Sequence, residues 1–85
     1  RLVRIYPNPV TSIMILEINA TSLNSLTRIV IADSRGIIVY REELKRDLPS
    51  IKKQLDLSGL AAGYYLLVID EDGKRMDKLK IIVQH

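Results

Sequence analysis

Few side chains in this sequence could do chemistry. Of 85 residues one is a histidine, His85 at the chain end, where ends usually fray, and none is a cysteine. A serine or cysteine nucleophile needs an imidazole base within hydrogen-bond reach, and protein zinc sites draw mainly on Cys and His. The composition therefore excludes Ser/His/Asp and Cys/His constellations and His-rich zinc sites. Carboxylates and lysines stay formally open. Glu42 and Glu43 are adjacent, yet they lie in a polar stretch with no sign of a pocket, which points to a solvated face. Asp70-Glu71-Asp72-Gly73 gathers carboxylates as a calcium loop does. A loop begun at Asp70 would need glycine at its sixth position and Glu at its twelfth, where Ile81 stands, so a solvated hairpin is expected instead. Asn19-Ala20-Thr21 fits the N-glycosylation pattern, which is short and common by chance. No metal, cofactor or catalytic residue is expected.

Charge gives no strong partner either. Thirteen Lys and Arg against ten Asp and Glu leave a net charge of +3. The pairs Lys45-Arg46, Lys52-Lys53 and Lys74-Arg75 have acidic neighbours and no interleaved aromatics. No stacking platform for bases results, and no nucleic acid partner is expected. With 47% of residues hydrophobic and 27% charged, the composition is that of one soluble domain. The longest apolar run, residues 64–69, falls far short of the ~20 residues of a membrane helix, so no span is expected.

The elements that must position these side chains are strands. Short apolar runs rich in Ile, Val, Leu and Tyr alternate with turn residues. Strands are predicted at 2–6, 12–19, 26–32, 36–43, 51–57, 64–70 and about 75–84. Pro7 and Pro9 close the first, because proline removes a ladder donor. Asp33-Ser34-Arg35-Gly36 predicts a tight hairpin, with the aspartate accepting backbone N–H groups and the glycine free to take positive φ, and Asp72-Gly73 predicts a second. Residues 42–50 are read as a polar connection between sheets rather than a helical turn, since Pro49 follows. Residues 58–63 form a small-residue corner that crosses between sheets. The pattern is all-β, a small antiparallel sandwich. Met14, Leu16 and Ile18 share one face of the second strand. In the sixth strand Tyr65, Leu67 and Ile69 alternate with Tyr64, Leu66 and Val68, so both faces are apolar where a two-layer sandwich buries only one. The surplus predicts a sticky outer surface.

Four motifs occur in order: Tyr6-Pro7-Asn8-Pro9 after the first strand, the Asp33-x-x-Gly36 hairpin, Leu57-Ser58-Gly59-Leu60-Ala61-Ala62-Gly63-Tyr64-Tyr65-Leu66, and Lys80-Ile81-Ile82-Val83. In that order and spacing the sequence closely resembles, over essentially its full length, the C-terminal sorting domain of proteins exported by the type IX secretion system of Bacteroidetes. Ala61 stands where many relatives carry proline. The resemblance implies an Ig-like sandwich of about seven strands with no catalytic activity. It also implies that residues 1–85 are one sorting domain cut from a larger secreted protein, whose cargo domain lies N-terminal. Such cargo crosses the periplasm, is recognised through this domain by outer-membrane translocon components, and reaches the cell surface or the medium. A sortase-like cysteine peptidase usually removes the domain there, cutting upstream of it.

The motif residues have separate physical roles. Pro7, Asn8 and Pro9 end the first strand and stiffen its exit; Asp33 and Gly36 shape the hairpin; Gly63 permits an unusual backbone at the corner. Tyr65 is expected to fill the core while its hydroxyl bonds backbone, as in the tyrosine corner of Ig-like sandwiches. For translocon recognition the expected residues are Lys78 and Lys80 with Ile81, Ile82 and Val83, because a C-terminal edge strand can pair with a receptor strand and present charge for register. Tyr64, Leu66 and Val68 form the second candidate surface. The competing reading is a non-catalytic accessory sandwich that binds carbohydrate or a partner protein. That reading needs an exposed aromatic platform, whereas the chain has no Trp or Phe and four Tyr, of which Tyr6 and Tyr65 are expected to be partly buried.

Overall fold

Strands with one apolar and one open face must stack in layers, and this chain stacks them in two. A computed structural model describes residues 2–19, 25–46 and 48–85. Its strands are β1 (Leu2–Tyr6), β2 (Ile13–Asn19), β3 (Ser25–Asp33), β4 (Ile38–Arg46), β5 (Ser50–Asp56), β6 (Gly63–Glu71) and β7 (Lys74–Val83). They form a three-stranded sheet in the order β1-β2-β5 and a four-stranded sheet in the order β4-β3-β6-β7, with every pairing antiparallel. The fold is all-β, an antiparallel sandwich as the strand pattern predicted, and consistent with the small Ig-like form that the resemblance implies.

The core lies between the sheets. Met14, Leu16 and Ile18 of β2 face Ile29 and Ile31 of β3, Leu67 and Ile69 of β6, and Ile81 of β7, all without solvent exposure. Side chains of this size contribute about 1.5–3 kcal/mol each when buried. With no cysteine in the chain, packing of this kind holds the two layers together. At one side of the sandwich the layers are also tied by an ion pair, Lys53 Nζ of β5 lying 2.9 Å from Glu42 Oε2 of β4.

The turns follow their residues. Asp33 Oδ1 accepts the N–H groups of Arg35 (2.9 Å) and Ile37 (3.0 Å), and the Gly36 N–H donates to the Asp33 carbonyl at 2.9 Å. Asp72 and Gly73 both have positive φ, 50° and 82°, the geometry that a two-residue β6–β7 hairpin demands. Asp72 Oδ1 also accepts the Leu26 N–H at 2.9 Å, so this carboxylate is occupied in tying the hairpin tip to β3.

One predicted boundary fails. The fourth strand, predicted at 36–43, runs Ile38–Arg46, and the connection predicted at 42–50 shrinks accordingly. The cause is edge position. β4 pairs only with β3, so its outward residues Arg41, Glu43 and Lys45 are solvated and make a regular strand read as loop. Within the part predicted as connection, Asp47 lies outside the described residues, as do Ala20 and Thr21 of the glycosylation pattern.

Candidate functional site

The two surfaces expected to carry recognition are one surface. In the β6–β7 register Tyr64 lies opposite Ile82, Leu66 opposite Lys80 and Val68 opposite Lys78. Residues directly opposed in an antiparallel pair share a face with their Cβ atoms about 4.5–5.5 Å apart. The outward residues of β6 and β7 therefore form a single patch on the outer face of the four-stranded sheet. Lys80 Nζ lies 4.5 Å from the centroid of the Tyr64 ring, a cation–π contact that fixes the ammonium over the aromatic face.

Ile81 and Val83 are not on it. They are 0% and 2% exposed and point into the core. Nor is the C-terminal part of the β7 edge open for pairing, because the chain covers it itself. Asn8 Nδ2 donates to the Lys80 carbonyl and the Ile82 N–H donates to Asn8 Oδ1, each at 2.9 Å. The Val10 N–H donates to the Ile82 carbonyl and the Gln84 N–H to the Val10 carbonyl, each at 2.8 Å. Val10 itself is fully buried. The side chain of Asn8 thus imitates one residue of a neighbouring strand, and Val10 continues that strand in backbone. Pro7 and Pro9 flank this hook, and the Tyr6–Pro7 and Asn8–Pro9 peptide bonds are both cis. Farther along the edge, the Lys78 N–H donates to Asp77 Oδ1 at 2.9 Å.

The corner behaves as its residues predict. Tyr65 is 8% exposed and its hydroxyl donates to the Ala61 carbonyl at 2.6 Å. Gly63 enters β6 at φ 154°, a conformation that L side chains rarely adopt, although nothing would crowd a Cβ there. The demand is for backbone freedom, not for space. His85 is held rather than frayed, with Nε2 2.6 Å from the Leu60 carbonyl oxygen.

β3 and β4 extend the patch, and sequence reasoning missed them. Ala32 lies opposite both Leu66 and Ile38, and Val30 lies opposite both Val68 and Arg41. Across the sheet one row therefore reads Ile38, Ala32, Leu66, Lys80, and the next reads Arg41, Val30, Val68, Lys78. A third row is Glu43, Arg28, Asp70, in which Arg28 Nε meets Glu43 Oε2 at 3.0 Å. Two adjoining depressions of about 400 Å³ each run along this face, one bordered by Tyr64, Leu66 and Lys80, the other by Val30, Arg41 and Val68. The available signal was the run Ile29-Val30-Ile31-Ala32, apolar on both faces as β6 is.

Electrostatics separate this face from the rest of the surface. On the outer face of the three-stranded sheet, Glu17 accepts a hydrogen bond from the Tyr6 hydroxyl and pairs with Arg4 (3.7 Å) and Lys52 (3.5 Å). The Tyr6 hydrogen bond, helped by the two cations, holds the Glu17 carboxyl below its ordinary pKa, and the same bond raises Tyr6. Arg35 beside Asp33, with the Ile37 and Arg35 amides, lowers that carboxyl too. Burial and the adjacent Glu42 push Tyr40 up to about 12. Arg41 and Lys78 form no ion pair among the described residues. Of the tyrosines only Tyr64, 57% exposed, could serve as a platform, and Lys80 already lies against its ring.

No helix among the described residues is long and apolar enough to cross a membrane, and no cluster of His, Asp or Glu there could hold a metal ion. No curated protein matches the chain. A family model described as the secretion system C-terminal sorting domain matches residues 4–84.

Proposed function

The chain belongs to the family of type IX secretion C-terminal sorting domains, and from that premise we propose how it serves as the label. The family is not a catalytic one, and its members are export signals that engage the secretion machinery and lead to the cell surface or the medium. In our reading, residues 1–85 act as one sorting unit whose cargo is an N-terminal part of the same protein. The cargo passes through the periplasm, and outer-membrane translocon components recognise the folded sandwich. A sortase-like cysteine peptidase then cuts upstream of the domain. Recognition falls to the outer face of β6 and β7, with Lys78, Lys80 and Tyr64 as the exposed contacts and Leu66 and Val68 between them.

The observation that supports this reading is the use the fold makes of the motif residues. Asn8 and Val10 close the edge of β7, Tyr65 anchors the corner to Ala61, and Asp33 and Gly36 set the hairpin. Their roles are in keeping the fold, which leaves signalling to the exposed side chains around them. The test is a fusion of residues 1–85 to a periplasmic reporter in a type IX-competent bacterium. The reporter is expected at the cell surface or in the medium. Retention in the periplasm with the intact, folded domain rejects the function.

A further inference from the structure

The outer face of the four-stranded sheet has a shape and a charge that together select an occupant. Its centre is a strip of Val30, Ala32, Leu66 and Val68, half-buried and so recessed below their longer neighbours. On the β4 side the strip is bounded by Arg41, opposite Val30, and by the half-exposed Ile38, opposite Ala32; Lys78 and Lys80 on β7 bound it on the other side. These strands are three inter-strand steps apart, about 14 Å, room for one protein segment to lie between the walls. The wall cations are not committed to carboxylates. Arg41 and Lys78 form no ion pair among the described residues, and Lys80 rests on the Tyr64 ring. The acidic groups nearby are Glu43, already held by Arg28, Asp33, already held by Arg35, and Asp70 at the far end of the strip.

The geometry points to a partner of acidic character: a protruding protein segment that seats an apolar side chain against Leu66, Ala32 and Val68 and sets carboxylates against Arg41 on one side and Lys78 and Lys80 on the other. This deepens the sorting reading and rests on it, since it assigns the chemistry of the translocon surface that the domain meets. Two other occupants fit less well. A second copy of the chain would bring the same cations together, and like charges across an interface repel. An anionic bilayer is entered by a broad set of projecting apolar groups, whereas on this face only Tyr64 and Ile38, at one end, are well exposed and the strip itself is half-buried.

The probe is a blocked peptide Glu-Asp-Leu-Asp-Glu, titrated into ¹⁵N-labelled residues 1–85 beside a control in which each acid is replaced by its amide. Shift changes are expected at Val30, Ala32, Leu66 and Val68, with binding roughly tenfold weaker for the amide peptide and weakened by added salt. The variant Arg41→Glu/Lys78→Glu/Lys80→Glu should lose the response while remaining cooperatively folded, its melting temperature lowered only by loss of the Lys80–Tyr64 contact, and the milder Arg41→Gln/Lys78→Gln/Lys80→Gln guards against misfolding. No shifts at millimolar peptide, equal binding of both peptides, or shifts elsewhere overturn the inference. So does concentration-dependent self-association through these residues, or binding to phosphatidylglycerol vesicles without binding to peptide. The export assay separates the two levels. If the wild-type fusion is exported and the folded charge-reversed fusion is exported equally well, the acidic partner is rejected and the sorting function stands. If the wild-type fusion stays in the periplasm, the sorting function itself falls.

Discussion

The sandwich has two outer faces, and apart from the Arg28–Glu43 pair they treat charge differently. On the three-stranded sheet Arg4 and Lys52 converge on Glu17, the Tyr6 hydroxyl bonds the same carboxylate, and the Arg4 guanidinium lies 5.6 Å from the Tyr6 ring centroid. On the four-stranded sheet Arg41, Lys78 and Lys80 surround an apolar strip and have no carboxylate partner among the described residues. A cation already paired gains little from meeting an external acid, because the pair must first be broken. An unpaired cation beside apolar surface keeps its full attraction available. On the reading proposed above, the difference separates a face that finishes the fold from one that meets a partner.

The sharpest way to break this comparison is to show that the C-terminal strand works by a linear signal rather than by building the face. Ile81 is fully buried against the β2 and β3 core, and Val83 is nearly so. Ile81→Ala should therefore cost about 2–5 kcal/mol of stability, measured by urea unfolding. Export should fall in proportion to the unfolded fraction. An Ile81→Ala domain that is exported normally while largely unfolded would mean that the translocon reads the terminal sequence directly, and the two folded faces would lose their meaning.

A smaller effect is expected at the hook. Asn8→Ala removes both side-chain bonds to β7 and leaves the Ile82 N–H and the Lys80 carbonyl to water, since this edge is exposed. The expected loss is about 1 kcal/mol, with faster hydrogen exchange at the Ile82 amide. Unchanged exchange there would show that Val10 alone closes the edge. This contact also marks the limit of what was legible in advance. β2 announced itself as a short run rich in Ile with Met14, Leu16 and Ile18 on one face, and the Asp33 and Asp72 turns because their chemistry is local. The Asn8 to Ile82 pairing joins opposite ends of the chain, and no local preference encodes it. For the same reason the sequence alone presents the patch as two separate surfaces. Tyr64, Leu66 and Val68 could be placed on one face of a strand, but that Lys78 and Lys80 stand beside them, with Val30 and Ala32 on the other flank, follows only from strand order. The C-terminal half of β4 is not legible as strand because an edge strand that places Arg41, Glu43 and Lys45 in water has the composition of a loop.

The smallest effect sharpens the comparison from the other side. Glu17→Gln removes the acid on which the closed face converges, and its consequence should depend on pH. The Tyr6 hydroxyl, Arg4 and Lys52 hold the folded Glu17 pKa below its unfolded value, so the folded state binds fewer protons than the unfolded chain. The contribution of Glu17 is therefore complete above the unfolded glutamate pKa of about 4.3 and is lost as the pH falls through the lower folded value. Wild type and Glu17→Gln should differ in melting temperature at neutral pH and converge in acid. At the alkaline end the sign reverses. Tyr6 is raised by the same contact, so its contribution is present below the unfolded phenol pKa of about 10 and is lost as the pH rises through the folded value, in wild type more than in Glu17→Gln. Because Glu17 lies on the other sheet from the Val30–Val68 strip, Glu17→Gln should leave both the peptide-induced shifts at Val30, Ala32, Leu66 and Val68 and export unchanged. A Glu17→Gln domain that is stable but fails to leave the periplasm would move recognition to the three-stranded sheet and invert the assignment of the two faces.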